Sequence, residues 1–129
     1  MPVSSSAICA FEELSFSCPV EATLNVIGGK WKVVILFNLT SKGTLRFAEL
    51  RRRIPGISER MLTQQLRELE RDDIVHREVY AEVPPKVEYS LTEYGMTLRP
   101  ITEAMCKWGR RHTERLSKQN GAMRNGKSK

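Results

Sequence analysis

Between residues 18 and 118, apolar residues recur mainly at helical spacing, and a single alternating stretch lies near residue 80. Pro19 is favoured in the first turn of a helix, and "VEATLNVI" after it predicts a helix that ends at Gly28-Gly29. The next segment, "KWKVVILFNL", has almost no polar face. That pattern predicts a buried helix at the centre of the domain.

Two short helical patterns follow, joined by only a few residues. The pattern that begins with Phe47 in "LRFAEL" ends at Ile54, because Pro55 disfavours helix at the residue before it. Ser58 is well placed as the N-cap of the next helix, which runs to about Arg71. The segment therefore predicts a helix-turn-helix.

The second of these helices has an apolar side and a polar side. At 100° per residue, Leu62, Leu66 and Leu69 fall within about 60° of one another and predict the buried face. The opposite face carries guanidinium groups, an amide and a hydroxyl, which are groups that can read base edges in a major groove. The predicted base-reading residues are Ser58, Arg60, Thr63, Gln64 and Arg67.

An alternating pattern follows the helix-turn-helix. Asp72-Asp73 end the preceding helix, since Asp tolerates a left-handed cap. "VHREVYAEV" and "VEYSL" then alternate apolar and polar residues on either side of Pro84, Pro85 and Lys86. This predicts a two-stranded hairpin with a stiff basic tip, the shape of a wing.

The last apolar pattern is a long stripe. Thr92 is placed to cap a helix, and Pro100 predicts a kink in that helix. Apolar side chains recur there in steps of four and three, more than a short domain needs for its own core. We expect this stripe, completed by the first helix, to be a homodimer surface. The predicted interface residues are Leu98, Ile101, Met105 and Trp108, with Tyr94 and His112 at the two ends of the stripe.

Together these patterns predict an α+β fold, mostly α: a winged helix-turn-helix with a two-stranded wing and terminal helices that form a homodimer surface. At 129 residues, of which 40% are hydrophobic, the chain can bury one ordinary core. We expect a flexible N-terminal segment (1–17), a DNA-binding and dimerisation domain (18–118) and a basic flexible tail (119–129).

The first residues and the cysteines indicate the compartment. The chain begins without basic residues or a long apolar run, which argues against a secretory signal. No stretch reaches the roughly 18 apolar residues that a membrane span needs, so we expect a cytoplasmic protein without a membrane partner. Cys9, Cys18 and Cys106 are odd in number and lack CxxC spacing, which suits reduced thiols.

The formal net charge of +6 is unevenly distributed. Residues 107–129 hold eight Lys and Arg against Glu114 alone, so the remainder of the chain sums to −1. Residues 42–67 nevertheless carry seven Lys and Arg against two Glu, a local charge of +5. A basic patch beside base-reading groups indicates a double-stranded DNA partner. The predicted phosphate-binding residues are Arg46, Arg52, Arg53 and Lys86.

Three segments, "GGKWKVVIL", "LRFAELRRRIPGISERMLTQQLRELERDDIV" and "VPPKVEYSLTEYGMTL", resemble the HxlR-type subfamily of MarR-like winged-helix transcription regulators over residues 18 to about 112. The likeness includes Cys18 before the first helix, and Asp73 departs from it, since such sequences usually have Gly there. The resemblance implies a homodimeric DNA-binding repressor or activator. Two recognition helices related by a two-fold axis predict an inverted-repeat operator.

The signal that controls such a regulator is open between two hypotheses. Cys18 lies at the start of the first helix, where unpaired N–H groups and the helix dipole favour a thiolate, and the resemblance implies sensing of a small electrophile or oxidant there. Cys106 lies beside the dimer stripe, where it either bridges to Cys18 of the second subunit or is a small apolar residue. The other hypothesis is a small non-thiol ligand between Trp31, Phe37 and Trp108, although such aromatics are more often core.

Other function classes have less support. The two His and three scattered Cys lack metal-ligand spacing, no phosphate-binding Gly loop is present, and no nucleophile motif indicates an enzyme. We therefore expect no metal, no cofactor and no catalysis. Two rivals stay open: a dimeric protein-interaction module, which predicts Glu or apolar residues on the outer face of 58–71, and a non-specific architectural DNA-binding protein.

Overall fold

The computed structural model describes residues 18–128, with side chains described as far as residue 121. In chain order the elements are α1 (Pro19–Ile27), α2 (Lys32–Lys42), β1 (Leu45–Arg46), α3 (Phe47–Arg53), α4 (Glu59–Arg71), β2 (Val75–Tyr80), β3 (Lys86–Leu91), a 3₁₀ turn (Gly95–Leu98) and α5 (Arg99–Ser128). The predicted flexible segment 1–17, with Cys9, lies outside the described residues.

The central helix is α2, as its apolar sequence predicts. Ile35, Leu36 and Leu39 are at most 1% exposed and lie in the same core cluster as the leucines of α4. The preceding helix α1 begins at Pro19 and ends before Gly28, as predicted. The core therefore forms around α2, and α1 contributes Ile27 to it.

The helix-turn-helix is formed by α3 and α4. Helix α3 ends before Ile54, and Gly56 makes the turn with a positive φ of 88°, a conformation that glycine adopts without strain. The Ser58 hydroxyl accepts a hydrogen bond from the Met61 amide at 3.1 Å, which confirms the predicted N-cap. The turn thus fixes the direction in which α4 leaves α3.

The sheet has three strands, in the order β1-β3-β2, where two were predicted. The additional strand is β1, whose Leu45 pairs with Tyr89 and whose Arg46 pairs with Glu88. Two residues are too few to show an alternating pattern, and their pairing depends on a strand more than 40 residues later. The predicted hairpin itself is present as β2 and β3, paired from Val75 with Leu91 to Tyr80 with Lys86.

The hairpin extends away from the core. Val75, at the base of β2, is 2% exposed, whereas Val79 is 49% exposed and Val83 in the connecting loop is fully exposed. The alternation of "VHREVYAEV" therefore continues beyond the buried part of the sheet. This is the geometry of a wing.

The end of α4 is joined to the start of the last helical region by a short set of contacts that we call the Thr92 junction. The Thr92 hydroxyl donates to the Asp73 carbonyl at 2.6 Å, with a second, longer contact of 3.2 Å to the Ile74 carbonyl, and accepts from the Gly95 amide at 2.8 Å. Asp73 has a φ of 61°, which confirms the left-handed cap predicted there. A Cβ on Gly95 would lie 2.1 Å from the Ile74 carbonyl oxygen, so only glycine allows this approach.

Helix α5 differs from the prediction at both ends. Thr92 caps the 3₁₀ turn, and α5 itself begins at Arg99, so Pro100 lies in its first turn. A proline is tolerated in the first turn, because the N–H that it lacks has no acceptor within α5. The kink expected at Pro100 stays a prediction. Helix α5 continues to Ser128, so the predicted tail boundary at residue 119 falls inside the helix.

Among residues 18–128, no helix is both long enough and apolar enough to cross a membrane.

Candidate nucleic-acid interface

The outer face of α4 is the candidate base-reading surface. Leu62, Leu66 and Leu69 are at most 2% exposed and hold the helix on the core, as predicted. The opposite face borders an open hollow of about 710 Å³. Its lining residues are Glu59, Arg60, Thr63, Gln64, Arg67 and Glu68. Four of the five predicted base-reading residues therefore lie together, and Ser58 adjoins them as the N-cap.

The polar groups on this face are held in different ways. The Thr63 hydroxyl donates to the Glu59 carbonyl within the helix at 2.9 Å, while the Gln64 amide donates to the Glu68 carboxylate at 3.3 Å. Arg60 and Arg67 form no ion pair with any residue between 18 and 121. The two guanidinium groups are thus available to a polyanion, and the amide of Gln64 is already oriented.

The predicted phosphate-binding arginines flank this face. Arg52 lines a second hollow with Arg51, and Glu59 borders both that hollow and the hollow on α4. Arg51 is paired with Glu59 at 3.6 Å, whereas Arg52 and Arg53 are exposed and have no ion pair within the described side chains. Arg46 is exposed on β1. The α3 arginines therefore add positive charge beside the α4 hollow, whose own lining has two arginines and two glutamates.

Lys86 lies at the start of β3, next to the wing loop, and its ammonium group is already engaged. It lies 4.3 Å from the centre of the Tyr80 ring, and its Nζ is 4.0 Å from Glu82 and 3.9 Å from Glu88. Hydrogen bonding to Glu88, with the negative charge of the same group, raises the pKa of Tyr80. Two carboxylates thus outweigh the positive charge of Lys86 at the wing tip, and the phosphate-binding role of Lys86 stays a prediction that this geometry disfavours.

Arg77 is a candidate that sequence reasoning missed. It lies on β2 and lines a cleft of about 290 Å³ between the wing and α4, together with Arg67 and Thr63. The sequence did indicate this position, because Arg77 is two residues after Val75 and therefore lies on the same face of β2. Two arginines, one from each element, therefore face the same cleft.

An ion pair joins a buried lysine on α2 to a partly exposed glutamate on α4. Lys32, on α2, is 7% exposed, and its Nζ is 2.6 Å from a carboxylate oxygen of Glu68. The hydrogen bond from Lys32, and after it the one from Gln64, holds the pKa of Glu68 below its ordinary value. The carboxylate is thus charged at neutral pH and is shared between the core side and the outer side of α4.

The two described cysteines are free thiols in different settings. Cys18 is exposed at the N-cap of α1, where its carbonyl accepts from the Glu21 amide at 2.9 Å and its side chain makes no cap hydrogen bond. Cys106 is half-buried on α5. The sensing role of Cys18 and a bridge between the two cysteines stay predictions.

The predicted dimer stripe is largely solvent-exposed in the single chain. Ile101, Met105 and Trp108 are 38%, 51% and 64% exposed, while Leu98 is half-buried against the core. On α1, Val20 and Leu24 are 62% and 57% exposed. Two helices of one chain therefore carry unburied apolar side chains, which is unusual for a surface without a partner.

The aromatics proposed to line a ligand cleft lie in different surroundings. Trp31 packs against the core, and Trp108 stacks on His112 with 4.9 Å between ring centres. A cleft of about 330 Å³ does lie between α1 and the 3₁₀ turn, and its lining includes Asn25 and Tyr94. Among the described residues, no group of three His, Cys, Asp or Glu is placed to hold a metal ion.

Helix α4 is the second helix of a helix-turn-helix, buries its leucines in the core and carries arginine and glutamine on its outer face. A hairpin wing follows it. These features define a winged-helix, DNA-binding regulator of transcription. Residues 26–117 match the HxlR-like helix-turn-helix family. The chain belongs to this family, which confirms both the resemblance found in the sequence and the winged-helix fold.

Individual relatives agree with this assignment. The protein named as the HTH-type transcriptional regulator YdeP of Bacillus subtilis (strain 168) is 56% identical over 105 residues, which are 81% of this chain and 81% of the relative. The structure of the redox regulator HypR in its oxidized form is 62% identical and covers 72% of this chain and 95% of its own, with a TM-score of 0.69. The reduced form of the transcriptional regulator YodB from B. subtilis is 40% identical over 70% of this chain and 89% of its own, with a TM-score of 0.62.

Proposed function

We propose that this regulator binds an inverted-repeat operator as a homodimer and represses transcription from it. The observation that carries the proposal is the outer face of α4, where Arg60, Gln64 and Arg67 surround an open hollow above a fully buried leucine face. The exposed apolar stripe of α5 supports a dimer, because two-fold pairing buries it. Two recognition helices in a dimer then meet two half-sites on one side of the duplex.

The proposed DNA contacts are of two kinds: contacts to bases, which determine sequence preference, and contacts to phosphates, which do not. Gln64 is our candidate for an adenine contact, and Arg60 or Arg67 for guanine, because these side chains match those base edges in two hydrogen bonds. Arg52 and Arg53 lie on the neighbouring helix and are proposed to bind phosphates, which fixes the protein on DNA without reading sequence.

Two variants test this division. Gln64→Ala is expected to cost about 1–3 kcal/mol on the operator and to relax the preference at a single base pair, whereas Arg52→Ala should weaken binding to all sequences alike. Selection of bound sites from a random genomic pool, followed by titration on operator and scrambled duplexes, measures both effects. Equal losses on operator and scrambled DNA for both variants contradict the division. If the sites selected by the wild type share no common sequence, the protein is a non-specific architectural DNA-binding protein instead.

The proposed signal is oxidation or alkylation of Cys18. The thiol is exposed at a helix N-terminus, next to the apolar surface of α1 that we assign to the dimer. HypR, a similar protein by sequence and structure, is named a redox regulator. In a second step, Cys18 and Cys106 of the partner subunit lose two protons and two electrons to a disulfide.

Diamide, which accepts those two electrons, provides the test. Operator release by diamide is expected in the wild type and not in Cys18→Ser. Cys106→Ser should stop the covalent dimer that forms in the wild type on a non-reducing gel. Equal release from the wild type and Cys18→Ser contradicts thiol control, and control by a small non-thiol ligand becomes the working hypothesis.

A further inference from the structure

Lys32 occupies a position that its own helix does not favour. It is the first residue of α2, where the positive end of the helix dipole repels a cation. It is also 7% exposed, although a lysine is rarely buried unless its charge has a partner. Neither the α2 helix nor the apolar core around it requires a charge at this position.

The partner of Lys32 lies on the recognition helix. Lys32 Nζ is 2.6 Å from Glu68 Oε1, with side-chain exposures of 9% and 28%. The second carboxylate oxygen of Glu68, Oε2, accepts from Gln64 Nε2 at 3.3 Å. One carboxylate therefore connects a fixed cation on the core side of α4 to the amide on its outer side. The charge of Arg71, also on α4, acts on the same carboxylate.

In this arrangement the Gln64 amide keeps one N–H donor and its carbonyl oxygen free for an adenine. A glutamine amide has two N–H donors and a carbonyl acceptor, and Glu68 uses one of the donors. The remaining N–H and the carbonyl oxygen match the N7 acceptor and the N6 donor of adenine. Orienting the amide before DNA arrives removes part of the cost of ordering a flexible side chain on binding.

We propose that Lys32 is a positioning residue for base readout, which acts through Glu68 to orient the Gln64 amide and so contributes to operator specificity without touching DNA. The role in specificity rests on the proposed function, because it requires Gln64 to contact a base. The orienting contact itself does not depend on DNA, and the two parts can be tested separately.

A purely structural ion pair between α2 and α4 makes different predictions. Its loss would reduce stability, and it would weaken binding to every DNA sequence by the same factor through misplacement of the whole helix. A positioning role instead changes the preference at the base pair that Gln64 reads. Stability and mean affinity therefore do not distinguish the two roles, while the side-chain amide resonance and the base preference do.

The first experiment uses the DNA-free protein. The side-chain amide resonances of Gln64, assigned by their loss in Gln64→Ala, are followed by ¹⁵N-edited NMR during an acid titration. In the wild type they should shift as Glu68 is protonated, with a midpoint below that of an ordinary glutamate. In Lys32→Met the midpoint should rise. Resonances that do not respond to Glu68 titration, or that respond identically in Lys32→Met, overturn the orienting contact.

The second experiment uses the full chain on a panel of operators that differ at single base pairs. Glu68→Gln and Lys32→Met should reduce the discrimination at the Gln64-dependent pair from about tenfold toward about threefold and leave the other pairs unchanged. Glu70→Gln is the control for charge, because it removes the same charge from the same helix at a residue that contacts neither Lys32 nor Gln64 and lines the cleft of Arg67 and Arg77 instead. It should raise affinity for all sites alike.

The outcomes separate the two proposals. Unchanged discrimination at the Gln64-dependent pair in both Lys32→Met and Glu68→Gln overturns the role in specificity. A wild type without any base preference contradicts the proposed function, and the NMR experiment still decides the orienting contact. Thermal unfolding identifies a variant that has lost its fold. If either Lys32→Met or Glu68→Gln is unfolded, the other variant is used for the test.

Discussion

At the scale of single residues, the charges available to DNA differ from the charges counted in the sequence. Lys86 is held between Glu82 and Glu88, whereas Arg77, with no ion pair among the described side chains, shares a cleft with Arg67. A cation that already has two carboxylate partners releases few additional counterions when it meets a phosphate. The wing is therefore expected to act through Arg77 on β2 more than through Lys86 at its tip.

Two alanine variants compare these residues. Arg77→Ala should weaken binding to any duplex and reduce the slope of log affinity against log salt by about 0.9. Lys86→Ala should change that slope by less, because its charge is already compensated. Fluorescence anisotropy over a series of salt concentrations measures both slopes. A larger slope change for Lys86→Ala than for Arg77→Ala contradicts the expectation that Arg77 is the main DNA contact of the wing.

The acid side of the stability profile depends on Lys32. Because Lys32 holds the pKa of Glu68 below the ordinary value of 4.5, the unfolded chain binds the proton more readily than the folded one near that pH. The resulting stabilisation is complete above about pH 5 and is lost as the pH falls through the lowered folded pKa. In Lys32→Met, the free energy of unfolding should therefore fall less steeply between about pH 5 and pH 3.

Urea unfolding at several pH values checks this prediction. Arg99→Met is the comparison, since it removes the Arg99–Glu103 pair of 2.7 Å, which is about half exposed and more strongly screened by water, so its pH profile should differ less from that of the wild type. A Lys32→Met profile that is parallel to the wild type would show that the cation does not set the titration of Glu68.

At the scale of elements, the cap of α4 is a local feature with a measurable contribution. Ser58 supplies the oxygen for the Met61 amide at 3.1 Å, and alanine there leaves that amide without its partner. Ser58→Ala should lower the free energy of unfolding by about 1 kcal/mol, while Ser58→Thr should lose less. Denaturant titration of the two variants provides the comparison, and an unchanged midpoint for Ser58→Ala contradicts the assigned cap.

The elements that sequence reasoning predicted well depend on local signals. Pro19, Pro55, Ser58 and Asp73 set helix limits through their own backbone preferences, and the predicted limits agree with the structure. The leucines of α4 identified its buried side because helical periodicity is also local.

The features that were missed depend on distant residues. Strand β1 exists only through its pairing with β3, and Lys32 finds Glu68 36 positions later in the chain. The first turn of the last helical region is 3₁₀ because the Thr92 junction fixes its start, and neither the spacing nor the composition of "TEYGMTL" indicates that contact. The pairing of Lys86 is a different case, because Glu82 and Glu88 are only four and two positions away. Residues two apart on a strand share a face, so the sequence did carry a signal for the contact with Glu88.

At the scale of the whole molecule, pairing of two chains is the property on which the proposed operator depends. Met105 is 51% exposed on α5, so a charge there should not disturb the core of one chain. Met105→Glu should produce a folded monomer that binds the operator at least about tenfold more weakly, since only one half-site is then held at a time.

Analytical ultracentrifugation and circular dichroism report assembly and folding separately. Lys107→Glu adds a negative charge on a different side of α5 and should remain a dimer. A Met105→Glu protein that is still dimeric places the interface elsewhere on the chain.

The Thr92 junction has a consequence for the geometry of a paired molecule. Three hydrogen-bond contacts and the close approach of Gly95 to Ile74 hold the residues that follow α4 against the start of the 3₁₀ turn. The turn runs into α5, which has 30 residues and is about 45 Å long. In the proposed dimer, a change in the angle at which the two α5 helices cross is therefore expected to change the distance between the two α4 helices. If the proposed dimer forms, we expect a chemical change near that crossing to move both α4 helices out of register with the groove of the duplex.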